Sequence, residues 1–492
     1  MRRRRTVVAF VLLCLSLFVL SLLNVLLLLP AAFAPSEREA AELPPKTSRS
    51  RGAEIPLLLR PLSLLARSWR SEPSGELAQE LRARRAEISR LRRLALAGAR
   101  PGGSERRLME LERRRARRAG GRDPEPLDCA DIDSPESLQY VGGGFTKAVY
   151  KAVLGGRNAR PVALKTVDLG GRDMATCVQT HNDPESCYRL AAYKLLKEMT
   201  LLSSLQHPNV VQLYGHCLRE SNDIADRLTS ITELGSPLDM IQLLQTSWEE
   251  RFRICLSLAR LLQYLAHSPL GSVALLDFRP RQFVLRDGEL KISDMDDATA
   301  GEPRCTESHH CTLHFSSHNF SLPCSLPRGR CLGLNERRNL YNAHRYFLTY
   351  LLPHSAPSTL RPALDEIVNA TGELRWSSDK TFQRMACVLH SYQNGWYRMN
   401  TTKPVGHAYM RLRGVSISQR HDYRCMPSYH SLACLLSILD TREAMEVCDG
   451  QPKCRAFVFT GQTTWTGRHL VFFKTGANDT RPDPDATSFV RT

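Results

Sequence analysis

Three things are scarce in this 492-residue chain, and each scarcity closes off a class of function. The first is positive charge outside the N-terminal part. The formal net charge is +17, but the arginines at 2–5 and the stretch Pro35 to Asp128, with 22 Lys/Arg against 14 Asp/Glu, hold twelve of those charges. No basic stripe is needed on the remainder, so nucleic acid is a poor partner. The second is paired cysteines: none of the 15 forms a C-x2-C pair, which sets aside a zinc finger or ribbon. The third is a core-forming pattern in the Arg-rich segments of residues 35–128. There, Arg-rich segments such as Leu81–Leu96 and Leu108–Arg118 alternate with proline-containing turns, the pattern of a basic flexible stem whose helices are solvated and bury no core. Within it, Arg82-Ala83-Arg84-Arg85 and Arg115-Ala116-Arg117-Arg118 have the dibasic form of convertase sites.

What the chain does contain fixes its compartment. Arg2–Arg5 precede an uncharged, mostly apolar run from Val7 to Leu29, then Ala32-Phe33-Ala34. Over residues 1–34 this is either a signal anchor long enough for a bilayer or a long signal peptide with an A-x-A-like cleavage site. Both place the rest in the secretory lumen, with membrane contact only through this segment. Cysteine usage agrees: Cys14 lies in the apolar run and fourteen follow, an even number suited to disulfides, although Cys255 in an apolar helical pattern fits a plain buried thiol. Acceptor sequons stand at Asn319, Asn369, Asn400 and Asn478.

The chemistry concentrates in residues 275–296, LLDFRPRQFVLRDGELKISDMD. Asp277 is followed by Gln282, then by a hairpin pattern in which Phe283-Val284-Leu285 and Leu290-Lys291-Ile292 flank the turn Asp287-Gly288, and then by Asp294. Phosphoryl transfer needs two carboxylates so placed, one to accept a hydroxyl proton and one to hold a metal. Upstream, Tyr140 to Tyr150 reads strand, glycine turn, strand. Val162-Ala163-Leu164-Lys165 is a strand ending in one lysine, and Glu198 opens a helical pattern that leads into His207-Pro208-Asn209. The apolar spacing from Phe252 to Leu265 predicts a core helix, and another amphipathic stretch runs from Arg337 to Leu352.

Taken together, Gly142, Gly144, Val149, Lys165, Glu198, Asp277 and Asp294 resemble the protein kinase superfamily in order and spacing, across residues 134 to about 350. The runs Lys147–Tyr150, Ala266–Val273, Asp277–Phe283 and Leu334–Tyr341 are similar, more narrowly, to the lonesome-kinase family of secreted extracellular tyrosine kinases. The resemblance implies an α+β, bilobal protein-kinase-like fold over 134–424, with a disulfide-rich C-terminal extension over 425–492. ATP would lie against Val141, Gly142, Gly143, Gly144, Phe145, Thr146, Lys147, Ala148 and Val149 of the glycine loop, and against Ala163, Lys165 and Glu198. Glu233 and Leu234 belong to the implied hinge, Thr232–Gly235. Asp277 would be the catalytic base, and Gln282 and Asp294 the ligands of Mg or Mn. The implied substrates are tyrosines of secreted and extracellular-matrix proteins, met in the Golgi and outside the cell.

Several residues depart from the kinase pattern. Lys147 stands where a third loop glycine is usual; this stiffens the loop, with the side chain free to point to solvent. Leu275-Leu276 replace the His-Arg that precedes the catalytic Asp, removing the arginine that grips a phosphorylated activation loop. Gln282 replaces the metal-binding Asn, one methylene longer, and Asp296 replaces the glycine of the metal motif. Cys305, Cys311, Cys324 and Cys331 then crowd the activation segment, as in a disulfide-stapled loop rather than a phosphorylation switch. Cys425, Cys434, Cys448 and Cys454 in the C-terminal part fit either a small PAN-like binding module or an extension of the C-lobe. Two other functions stay open: a lumenal pseudokinase that binds partners, and a sugar kinase.

Overall fold

The computed structural model describes residues 75–98, 126–154, 160–219, 228–316, 318–398, 406–426 and 428–492. The N-terminal apolar run, the Arg115–Arg118 site and Asn400 lie outside them. Among the described residues no helix is long and apolar enough to cross a membrane.

The fold is α+β and bilobal. Its N-lobe is an antiparallel sheet of five strands: β1 (Ser137–Gly143), β2 (Lys147–Leu154), β3 (Arg160–Val167), β4 (Leu213–Leu218) and β5 (Leu228–Glu233), in the order β1-β2-β3-β5-β4. The N-terminal helix α1 (Glu76–Gly98) precedes this sheet. Helices α2 (Arg172–His181) and α3 (Pro184–Ser204) follow β3, and α3 carries Glu198. Asp183 caps α3 by accepting from Ser186 N–H at 3.0 Å, and Pro184 at the first turn has no N–H to leave unpaired.

The C-lobe is helical around α4 (Trp248–Ala266), as the apolar spacing predicts: Phe252, Cys255, Leu256, Ala259, Leu262 and Leu265 are all buried. The hairpin β6 (Phe283–Arg286) and β7 (Glu289–Ile292) lies against it, with Asp287 and Gly288 both at positive φ in the turn. Helices α5 (Leu334–Ala343), α6 (Arg361–Gly372) and α7 (Ser378–Gln393) complete the lobe.

Helix α1 corrects the expectation for the stem. Leu81–Leu96 is not a solvated, coreless segment: Leu77, Leu81, Ile88 and Leu91 form a buried stripe at helical spacing. Leu77, Leu81 and Ile88 join the cluster of Tyr188, Leu195, Leu196 and Met199 on α3, and Leu91 joins the main core. The helix is anchored at its far end too, where Arg90 donates to the Ala300 carbonyl at 2.9 Å. Arg82, Arg85 and Arg93, which made the segment look solvated, lie exposed on its outer face.

The C-terminal part is a second antiparallel sheet, β8 (Tyr409–Ile417), β9 (Cys434–Ile438), β10 (Ala456–Thr463), β11 (His469–Lys474) and β12 (Thr480–Arg491), in the order β8-β12-β10-β11-β9, with helix α8 (Thr441–Asp449). Strand β8 pairs along the last strand from Tyr409↔Arg491 to Ile417↔Thr480, so this unit begins before the boundary expected at residue 425. It is fastened to α4 by buried Glu249, which accepts from Tyr429 Oη at 2.9 Å, Tyr392 Oη at 3.1 Å and Thr466 Oγ1 at 2.5 Å, and from Thr464.

The fourteen cysteines after Cys14 are all accounted for. Six disulfides join Cys129–Cys217, Cys177–Cys187, Cys305–Cys324, Cys311–Cys331, Cys425–Cys434 and Cys448–Cys454. Cys255 is a buried free thiol and Cys387 an exposed one. The three sulfurs of Cys305, Cys311 and Cys331 lie close enough together to resemble a metal site, but each is already committed to a disulfide.

Candidate active site

Residues far apart in sequence converge between the lobes. Lys165, near the end of β3, donates to Glu198 Oε1 at 2.6 Å and to the Ser293 carbonyl at 2.7 Å. Both side chains are buried, so the pair is held in a low-dielectric setting where an unpaired charge would be costly. In the β2–β3 register Val149 stands opposite Lys165 and Lys151 opposite Ala163, which puts Val149, Ala163 and Lys165 on one face of the sheet. The glycine turn lies above. It is closed by the Gly144 N–H donating to the Lys147 carbonyl at 2.8 Å and is tied to the segment after β3, where Asp173 N–H donates to the Phe145 carbonyl at 2.9 Å. Thr146 is buried and hydrogen-bonds to Asp173, while Phe145 is 54% exposed at the mouth of the cleft. Val141, Gly142, Gly143 and Ala148 fall on the two strands flanking the turn.

The two loops expected to be catalytic and metal-binding are fixed to each other through backbone. The Gln282 carbonyl accepts from Ser293 N–H at 2.8 Å and Asp294 N–H at 3.3 Å, closing the hairpin that carries Asp277 and Asp294 at its two ends. Asn209 of the His-Pro-Asn run braces the same hairpin by donating from Nδ2 to the Leu290 carbonyl at 2.8 Å. Below, Phe347 meets Phe278 and Phe283 edge to face, those two rings lie tilted against each other, and Asn339 of α5 accepts from Leu275 N–H at 2.9 Å. Leu275 is buried by this contact, whereas Leu276 is 50% exposed in the place of the arginine that kinases use to hold a phosphate. Asp277 accepts from Arg279 Nε at 2.8 Å, Arg281 Nη2 at 3.1 Å and Gln282 Nε2 at 2.5 Å.

The expected hinge is stiffened by charge. Glu233 receives Lys291 Nζ at 2.8 Å on both oxygens and Arg286 Nε at 3.1 Å, and Arg286 also donates to the Leu234 carbonyl at 3.0 Å. Gly235 cannot carry a side chain here, because a Cβ would lie 2.5 Å from Val284 Cγ2.

The least expected feature is Lys147, whose side chain does not point to solvent. It is 7% exposed, with Nζ against Glu198 Oε2, 2.7 Å from Asp294 Oδ1 and 3.1 Å from Asp296 Oδ2. Strand periodicity carried the signal: Lys147 is two residues from Val149 and shares its face. Burial by itself would lower the Lys147 pKa, but Glu198, Asp294 and Asp296 together raise it well above the usual value. Burial also acts to raise Asp294, yet Lys147 and Lys165 outweigh it and hold that carboxyl well below the carboxylate range. Burial pushes Asp296 up to about 6, against the pull of Lys147.

For a divalent cation, Asp294 offers a carboxylate that is 25% exposed and Gln282 an amide oxygen, a hard oxygen set that suits Mg or Mn.

A family model described as the protein-kinase domain of FAM69 matches residues 192–372. The human extracellular tyrosine-protein kinase PKDCC is 50% identical over 518 residues, covering 100% of this chain and 99% of its own. The chain belongs to the extracellular tyrosine-protein kinase family. A more distant relative, the probable serine/threonine-protein kinase PBL15 of Arabidopsis thaliana, is 25% identical over 307 residues, covering 61% of this chain and 65% of its own. This kinase therefore matches the human extracellular enzyme in sequence along its whole length.

Proposed function

We propose that this kinase works in the secretory pathway, in the Golgi lumen and after secretion, transferring the γ-phosphoryl group of ATP to tyrosine hydroxyls of secreted and extracellular-matrix proteins. The observation that carries the reading is the intact Lys165–Glu198 pair at 2.6 Å beside Asp277 and Asp294 on one closed hairpin. In this reading Asp277 accepts the tyrosyl proton once the exposed arginines 279 and 281 turn from it toward the incoming substrate. Lys165 holds phosphate oxygens, and Asp294 with Gln282 holds Mg or Mn. Bound with the nucleotide, the cation neutralises charge along the phosphates. The glycine loop from Val141 to Val149, with Ala163, Glu233 and Leu234, encloses the nucleotide. The disulfides, together with sequon asparagines 319, 369 and 478, all exposed, support an oxidising, glycosylating route.

A lumenal pseudokinase is the second reading, favoured by one observation: the Lys147 ammonium already sits on Asp294. Secreted protein incubated with ATP and magnesium or manganese separates the two. Phosphate on tyrosine, abolished in Lys165→Met and in Asp294→Ala, supports transfer. Nucleotide binding without transfer supports the pseudokinase, and phosphate on a glycan would make it a sugar kinase.

A further inference from the structure

Two glycines of the usual kinase pattern are replaced here, Lys147 in the loop and Asp296 in the metal motif, and the structure brings the two replacements together at 3.1 Å. A surface lysine would need no partner. Lys147 is instead buried among three carboxylates, and it shares Glu198 with Lys165, one lysine on each oxygen. The strand register explains the convergence: Lys147 pairs with Val167 and Val149 with Lys165, so both lysines leave the sheet on the nucleotide-facing side. Lys147 also starts β2 at the end of the glycine turn, so its ammonium lies beneath the loop expected to cover the phosphates.

The charges explain why the pair arises together. Asp296 alone would place a second carboxylate beside Asp294 and repel both metal-bound nucleotide and its own neighbour. Lys147 alone would bring a buried ammonium next to the lysine that already serves Glu198. Together they leave two ammonium groups facing three carboxylates, with the extra ammonium aimed at the cleft from a fixed anchor.

Resting on the ATP-kinase reading above, we propose that Lys147 is a second phosphate-binding lysine and that Asp296 is the residue that positions it. When a nucleoside triphosphate enters, its phosphate oxygens take over the Lys147 contact now made by Asp294, which frees Asp294 for the cation. Asp296 keeps the ammonium aimed. This kinase thus grips the triphosphate with two fixed cations where the usual glycine pair would leave one.

Because the grip is built into the chain, the test is ATP binding without metal. The full secreted chain is titrated with ATP in the presence of a chelator, then with magnesium, by calorimetry. Lys147→Met is expected to weaken metal-free binding by about 10- to 100-fold, the range for one charge-assisted hydrogen bond, while Lys147→Arg retains most of it. Asp296→Asn relieves repulsion in any background but costs the aim of the lysine only where the lysine is present. It is therefore expected to be at least about threefold less favourable in the wild type than in Lys147→Met. If Lys147→Met does not fold, the double variant Lys147→Gly/Asp296→Gly strands no charge and is expected still to bind metal-free ATP at least about threefold more weakly than wild type, the relief of Asp296 repulsion offsetting part of the loss. Metal-free binding within twofold of wild type in the folded variant overturns the proposal, as does an equal effect of Asp296→Asn in both backgrounds. If the wild type binds and transfers while Lys147→Met is indistinguishable from it, this inference alone fails; if the wild type binds no nucleotide under any condition, the kinase reading fails with it.

Discussion

Glu87 of the N-terminal helix and Lys197 of α3 form an ion pair at 2.8 Å, one residue before the Glu198 that holds Lys165. Helix α3, which carries Glu198, is thus clasped from outside by a segment that precedes the N-lobe sheet. In this position α1 braces the helix whose Glu198 holds Lys165.

Loosening the brace is expected to cost both stability and turnover. Ile88 is 1% exposed within the α1–α3 cluster, and Ile88→Ala should destabilise by about 2–5 kcal/mol. Thermal unfolding measures the loss. Phosphate transfer should fall further than the folded fraction accounts for, because α3 also carries Glu198. Unchanged turnover in a folded Ile88→Ala protein would leave α1 as a passive packing element.

The same helix bears on processing. Arg82-Ala83-Arg84-Arg85 lies in mid-helix, and a protease needs extended backbone in its cleft. Folded protein treated with a dibasic-specific protease is expected to resist cleavage there, and to become sensitive once Ile88→Ala loosens the helix. N-terminal sequencing of the products reads the result.

Removing Glu249 should loosen the C-terminal sheet from α4. Glu249→Ala takes the shared acceptor from the hydroxyls of Tyr392, Tyr429, Thr464 and Thr466, and leaves buried Arg468, stacked 4.3 Å over Tyr392, in a weakened network. A loss of about 3–5 kcal/mol is expected, as for other broken buried charge networks. Protease sensitivity between residues 398 and 409 would show which end opens first.

His207 sets an acid limit on stability. Burial, with Arg260 and Lys291 nearby, lowers its pKa to about 4 from an ordinary 6.5. Between those values the unfolded chain takes up a proton that the folded chain refuses, so stability is present above pH 6.5 and falls as pH drops toward 4. The contribution is on the order of 2–3 kcal/mol. Melting temperature measured against pH should fall across that window, and less steeply in His207→Gln.

The activation segment is stapled by Cys305–Cys324 and Cys311–Cys331, and Leu276 offers no cation for a phosphate. Phosphatase treatment is therefore expected to leave activity unchanged, whereas Cys311→Ser/Cys331→Ser should lose about 2–5 kcal/mol and most transfer. Activity that vanished on dephosphorylation would show that another cation does the missing arginine's work.

Much of this arrangement could be read from the chain, because local spacing dictates it. The turn at Asp287-Gly288 forces the hairpin that carries Asp277 and Asp294, and the apolar period from Phe252 to Leu265 forces the core helix. Contacts that depend on partners distant in sequence were hidden. The α1 stripe of Leu77, Leu81, Ile88 and Leu91 was masked by the arginines between its members. Strand β8 gave no sign of belonging to the C-terminal sheet, because its partner lies some seventy residues on. Lys147 was in principle visible from its parity with Val149, but nothing in the sequence alone links it to Asp296, which lies across the cleft.

The most direct measurement of the central claim is mass-spectrometric identification of phosphorylated residues after secreted wild-type protein and its Asp277→Asn variant are incubated with ATP, a divalent cation and a secreted acceptor protein. Phosphotyrosine is expected on the acceptor with wild type, and its formation should fall by at least about a hundredfold with Asp277→Asn if Asp277 is the proposed base. Transfer that persists in Asp277→Asn, or a wild type that binds ATP and leaves every acceptor unmodified, would contradict that claim.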